Sequence, residues 1–213
     1  MQRFLLSAAL FAAASTPLLA QAPAPESPSS PSGFANGLQV RDALSTWRAD
    51  HGANWQSVFS GDTGYSRFLY GGHTSALFTP IADADFEVLG RLYIDAAYGL
   101  MGISSAHLEL DKVSFLPLGL IGSTDKTSIQ FQQFVNGVAV ERGFVNALFN
   151  QSGELLSLDT VGLPDSALPL NTTPTINAGV AERFAVDAFQ EATGLEALDI
   201  LVEGLVIAQD ETA

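Results

Sequence analysis

The sequence predicts an α+β fold, an antiparallel sheet packed by one main helix, and three observations point there. Residues 83–102, DADFEVLGRLYIDAAYGLMG, repeat apolar positions at helical spacing. Residues 106–118 and 126–135 alternate apolar and polar side chains, as half-buried strands do. Asn136-Gly137 then separates the second of these runs from a third, and that dipeptide tolerates the positive φ angles of a tight hairpin turn. With 213 residues the chain can bury a core without covalent staples.

The first 22 residues, MQRFLLSAALFAAASTPLLAQA, place Arg3 ahead of an apolar run from Phe4 to about Ala14, followed by Pro17 and small residues. That layout is a secretory signal peptide, with cleavage expected after Ala20 or Ala22. A membrane span needs about 20 uninterrupted apolar residues, and Ser15, Thr16 and Pro17 cut this run short. The expected destination is secreted or periplasmic, with no membrane attachment after the leader is removed. Residues 23–37, beginning PAPESPSSPSG, have too few apolar groups to offset chain entropy and are expected to form a disordered linker. An exported chain with no cysteine has neither disulfides nor a thiolate zinc site, which favours a bacterial envelope or extracellular protein stabilised by packing alone.

The folded part is expected from Leu38. Val40, Leu44 and Trp47 recur at helical spacing, so a short helix should run to Gly52. Trp55 and Val58 lead into SGDTGYSRFLYGG, a glycine-punctuated loop and strand. In the helix over 83–102, Asp83 or Asp85 can cap the start, Phe86, Leu89, Tyr93, Ala97 and Leu100 form the apolar stripe, and Gly99 and Gly102 end it. The strand over 106–118 comes next. The runs 126–135, 138–149 and 154–162 then form a three-stranded meander, its second turn at 150–153. A proline-bearing connection (162–175) leads to a helix over 177–194, with Val180, Phe184, Ala188 and Phe189 on one side. The tail from 198 starts a strand pattern and stops at Ala213, so the last module, 166–213, reads as incomplete.

The formal charge is −14, one unit more negative once Arg3 leaves with the leader. Such a surface repels phosphate backbones and anionic lipid, so nucleic acid and membrane surfaces are not expected partners.

No catalytic constellation is expected. Asp62-Thr63-Gly64 matches the tripeptide of aspartic proteases, but that chemistry needs a second aspartate to share a proton, and Asp159-Thr160-Val161 lacks the glycine. A plain turn accounts for it. The three histidines, His51, His73 and His107, stand far apart, and none belongs to the H-E-x-x-H pattern that aims two imidazoles at one zinc ion. His107, Glu109 and Asp111 would share a strand face, where alternating charge in solvent explains them. Neither G-x-S-x-G nor a phosphate-cradling loop occurs. No cofactor or metal ligand is expected.

The hairpin is more specific. In QFQQFVNGVAVERGFVNALFNQSGELLSL, the residues Phe131, Gln133, Asn136, Gly137, Val138, Val140 and Gly143 fit an aromatic, glutamine-rich strand, an Asn-Gly turn and a Val-x-Val strand running to glycine. In this the chain resembles the FTP domain, the fungalysin/thermolysin propeptide. Residues 62–72 and the helix over 83–102 are similar to that family's earlier loop and helix, and the helix from Asn177 is similar to the start of a PepSY-like region. Ala139 departs from a position where proline is common, and Phe134-Val135 replace a more polar pair.

The resemblance implies an FTP-like domain over 38–165 and a partial PepSY-like segment over 166–213. It also implies a role, the propeptide region of a secreted zinc metalloprotease precursor. Such a segment acts as intramolecular chaperone and inhibitor of a catalytic domain that lies downstream in cis or is met in trans. The alternative is a free-standing extracellular binding module or trans-acting protease inhibitor.

Alternation also makes a local prediction. Ile129, Phe131, Gln133 and Val135 share one face, so Gln133 is a glutamine among apolar neighbours and should anchor a nearby backbone, while Gln130 and Gln132 face solvent.

Overall fold

The computed structural model describes residues 37–194 and 206–207. The leader and all of the linker except Gly37 lie outside the described residues, as does most of the tail after 194. Eleven principal elements follow in the order α1 (Gly37–His51), β1 (Gln56–Phe59), β2 (Ser66–Tyr70), α2 (Asp83–Ala96), α3 (Tyr98–Met101), β3 (Leu108–Leu116), β4 (Lys126–Val135), β5 (Val138–Asn150), β6 (Leu155–Thr160), α4 (Ala178–Thr193) and β7 (Val206–Ile207). Six strands form one antiparallel sheet in the order β1-β2-β6-β5-β4-β3, and β7 lies parallel to β5.

Strand β4 shows how the sheet acquires its two faces. Thr127, Ile129, Phe131, Gln133 and Val135 are buried, and the residues between them are half-buried. This is the period-two alternation of a strand with one face on the core. The helices cover that face. Phe86, Leu89, Tyr93 and Ile94 of α2 join Ile129, Phe131, Phe149, Leu155 and Leu158 in the main core. Gly90 lets the helix approach closely, since a Cβ there would stand 2.9 Å from the Phe131 ring.

Arg91 fastens the same contact. Its guanidinium lies 5.1 Å from the centre of the Phe131 ring. It donates to Glu87 Oε1 and to the carbonyls of Ser105 and Leu108, tying α2 to the start of β3.

Several expectations need correction. The sheet is covered by more than one helix, because α1 contributes Val40, Leu44 and Trp47 to the core and α3 contributes Leu100 and Met101. Strand β1 was not legible as a strand, and β2 joins the sheet through β6. The meander therefore continues into an N-terminal hairpin. Neither Asp83 nor Asp85 stands at the N-cap of α2, which is Ala82. Instead Asp85 reaches back, its carboxylate accepting from the backbone N–H of Ile81 (2.8 Å) and Ala82 (3.0 Å). His107 lies in a 3₁₀ turn ahead of β3, so it does not share a strand face with Glu109 and Asp111.

Candidate functional site

The glutamine-rich hairpin is where the sequence concentrated its signature, and its geometry is irregular. Between β4 and β5 the register runs to Gln132 opposite Phe144 and resumes at Phe134 opposite Ala139. Val140, Glu141, Arg142 and Gly143 therefore stand against Gln133 alone, and Arg142 adopts a φ of 56°. Such a bulge breaks the ladder and leaves main-chain carbonyls in need of donors.

Gln132 supplies them. Its Nε2 lies 2.6 Å from the Val140 carbonyl, 3.2 Å from that of Gly143 and 3.1 Å from that of Gln133. The expectation that this side chain faces solvent is therefore wrong: it is half-buried and holds the bulge. Gln130 is half-buried too, donating to Asp111 Oδ2 at 2.9 Å where β3 has its own irregularity.

Gln133 points the other way and is fully buried. Its Nε2 donates to the Leu163 carbonyl (2.7 Å) and its Oε1 accepts from the Leu163 N–H (2.8 Å). The side-chain amide thus bonds both main-chain groups of Leu163, in place of a sheet partner, and pins the chain leaving β6. Gly162 packs closely beside it: a Cβ there would stand 2.9 Å from Gln133 Oε1 and 3.0 Å from Ile103 Cδ1, so these side-chain ends would have to give way.

The other signature residues have packing roles. Phe131 is the buried ring under Gly90. Asn136 and Gly137 connect β4 to β5 with φ values of 51° and 80°. Val140 is buried with Val135 and Leu168 in a second small core, Val138 is half-buried, and Gly143 lies against Val140.

The candidate protease tripeptide sits in the β1–β2 turn. The N–H groups of Asp62 and Thr63 point at Ser60 Oγ (3.2 and 3.3 Å), and Gly64 N–H donates to the Ser60 carbonyl. Asp159 lies on β6, where its carboxylate accepts from Asn146 Nδ2 at 3.3 Å.

One grouping escaped sequence reasoning. His51 and His73 line one pocket of about 270 Å³ with Asp50, Asn54, Ser75 and Glu154. His73 Nδ1 stands 4.0 Å from Glu154 Oε1. The His51 ring lies 4.2 Å from Trp47, and its carbonyl accepts from Trp55 Nε1. Only tertiary packing joins the end of α1, the segment after β2 and the start of β6, so no local spacing could announce it. Among the described residues no three His, Asp or Glu side chains are arranged to hold a metal ion.

Helix α4 differs from all of this. Asn177 caps it, its Oδ1 accepting from Val180 N–H at 3.0 Å, and Gly194 ends it at φ 67°. Yet the helix buries no residue, and Phe184 is 59% exposed.

No family model, no curated protein and no solved structure matches this chain.

Proposed function

We propose that this chain is the propeptide region of a secreted zinc metalloprotease of the thermolysin/fungalysin type, assisting the folding of its catalytic domain and inhibiting it. The observation that carries the reading is α4, a capped helix whose apolar line of Val180, Phe184 and Ala188 is not buried against the described residues. A helix of this length is marginal in water on its own, and an amphipathic face ordinarily has a surface to cover. On this reading that surface belongs to the cognate protease domain, and α4 opens the PepSY-like region. Gln132 and Gln133 support a non-catalytic role, because their amides serve the chain's own backbone, and Asp62 lies in a short turn whose main-chain N–H groups are held by Ser60 Oγ. The FTP-like part of the reading rests on the resemblance at Phe131, Gln133, Asn136, Gly137, Val138, Val140 and Gly143. The mechanism is linkage: a segment that binds the native protease better than its unfolded chain favours folding, and the same contacts exclude substrate.

The test is to refold a thermolysin-type catalytic domain from denaturant with and without the purified chain, then titrate more chain into active enzyme. A severalfold rise in recovered peptidase activity and saturable inhibition are expected. If stoichiometric chain changes neither yield nor activity, the proposal fails. The body from α1 to β6 closes its own core without α4, which favours one second reading, a free-standing extracellular binding module or inhibitor acting in trans. A reading frame that continues into an H-E-x-x-H domain selects the first; an authentic stop selects the second.

A further inference from the structure

The edge of the sheet at β1, unpaired among the described residues, carries an inference independent of that reading. β1 is the outermost strand, so the main-chain groups on its outer side have no ladder partner among the described residues. Sheet edges are usually guarded by charge or proline. β1, with the sequence QSVF, has neither, and Val58 and Phe59 are 44% and 40% exposed.

Beside this edge runs a groove of about 680 Å³ between β1 and α1, lined by Leu44, Arg48, Trp55, Ser57 and Phe59 among others. Arg48 is the one charged residue lining it, in a chain of formal charge −14. Its Nε donates to the Trp55 carbonyl at 2.7 Å, which fixes the guanidinium plane. The structure gives its two Nη groups no hydrogen bond or ion pair with the described residues.

We infer that this groove binds the free C-terminus of an extended polypeptide, which adds to β1 as an antiparallel strand and places its terminal carboxylate on Arg48. Polarity decides the direction. Arg48 bonds the carbonyl of Trp55, the residue before β1, so it stands at the end of Gln56–Phe59 where a strand paired along β1 runs out. A strand parallel to β1 would bring its ammonium to a cation, whereas an antiparallel strand brings a carboxylate that Arg48 can bond with both Nη groups. Main-chain ladder bonds supply affinity, and side chains on the inner face meet Phe59 and Leu44.

The experiment uses two pools of fluorescein-labelled hexapeptides, randomised over Val, Ile, Thr, Tyr, Phe and Leu, one with free C-terminal carboxylates and one amidated. Binding is read by anisotropy and by ¹⁵N NMR of the whole chain. The free-acid pool should bind saturably and shift the amides of Ser57, Val58 and Phe59. The amidated pool should bind at least about tenfold more weakly, the loss of one charge-assisted contact. Arg48→Gln should bring the free acid down to the amide's level, and Arg48→Lys should restore part of the difference; both lose the Nε bond to Trp55 and melt lower, but keep the folded ¹⁵N spectrum. Equal binding of the two pools, no binding of either at millimolar concentration, or indifference to Arg48→Gln would overturn the inference. So would equal binding of an amidated peptide with an internal Glu, which assigns the groove to acidic side chains, or pairing of two copies through β1.

Discussion

Helices α2 and α4 invert the usual association between a well-made helix and a well-buried one. α4 has the better ends, with Asn177 bonded to the first turn and Gly194 in the left-handed conformation after the last. α2 starts at Ala82, which offers no side-chain acceptor, and borrows Asp85 to bond the N–H groups before it. Yet α2 buries Phe86, Leu89, Gly90, Tyr93 and Ile94, and α4 buries nothing. Capping decides where a helix begins and ends, and burial decides what it holds together. The two helices separate these effects within one chain.

Mutations can break or sharpen that contrast. The largest loss is expected from Phe131→Ala, which empties the space between Gly90, Arg91 and the sheet. A buried Phe→Ala change costs about 3–5 kcal/mol, measured as a lower urea midpoint with unchanged slope. A loss below about 1 kcal/mol would mean that α2 is not fastened through this ring.

Gln133→Leu comes next. The replacement keeps the volume roughly but strands the N–H and C=O of Leu163, each now without its amide partner. Leaving buried polar groups unpaired costs about 1–3 kcal/mol apiece, so a total near the lower half of that combined range is expected. Hydrogen exchange at Leu163 should accelerate with it. A stable variant with Leu163 still protected would show that the amide is not what holds the chain leaving β6.

Gln132→Ala should cost less, about 1 kcal/mol, because Gln132 is itself half-buried, so water can enter where its amide was and replace the lost donor. The difference between these two neighbouring substitutions separates a buried amide from a half-buried one doing similar work.

The same two residues show where the sequence was legible. Alternation along β4 is strict, so the burial of Gln133 among Ile129, Phe131 and Val135 could be read from period alone. Gln132 could not, because its partners exist only where β5 bulges, and nothing in VAVERG announces that four residues will stand opposite one. Helices α1 and α4 were visible from their periodic positions and glycine ends; α2 was visible from its periodic positions alone, since the expected helix over 83–102 stops at Ala96 and Gly102 ends the separate α3. β1 was missed because QSVF is short and lies at an edge, where one side has no ladder partner among the described residues and the apolar pattern that marks a strand disappears. The pocket of His51, His73 and Glu154 was invisible for a different reason. Its members are brought together by the packing of α1 against the β2 and β6 end of the sheet, and long-range packing leaves no spacing in the chain.

The smallest effect on stability, and the sharpest test of the contrast, is expected from Phe184→Asp. Phe184 is exposed and α4 buries no residue, so the isolated chain should change by no more than about 0.5 kcal/mol, as for a surface site. If α4 meets a protease domain through its apolar line, the same substitution places a carboxylate at the centre of that contact. It should then weaken inhibition about tenfold or more, the scale of losing an aromatic anchor. Phe86→Asp on α2 must behave in the opposite order, unfolding the chain before any partner is added. A fall of 2 kcal/mol or more for Phe184→Asp in the isolated chain would show that the face of α4 is already covered within this molecule, and the contrast between the two helices would disappear.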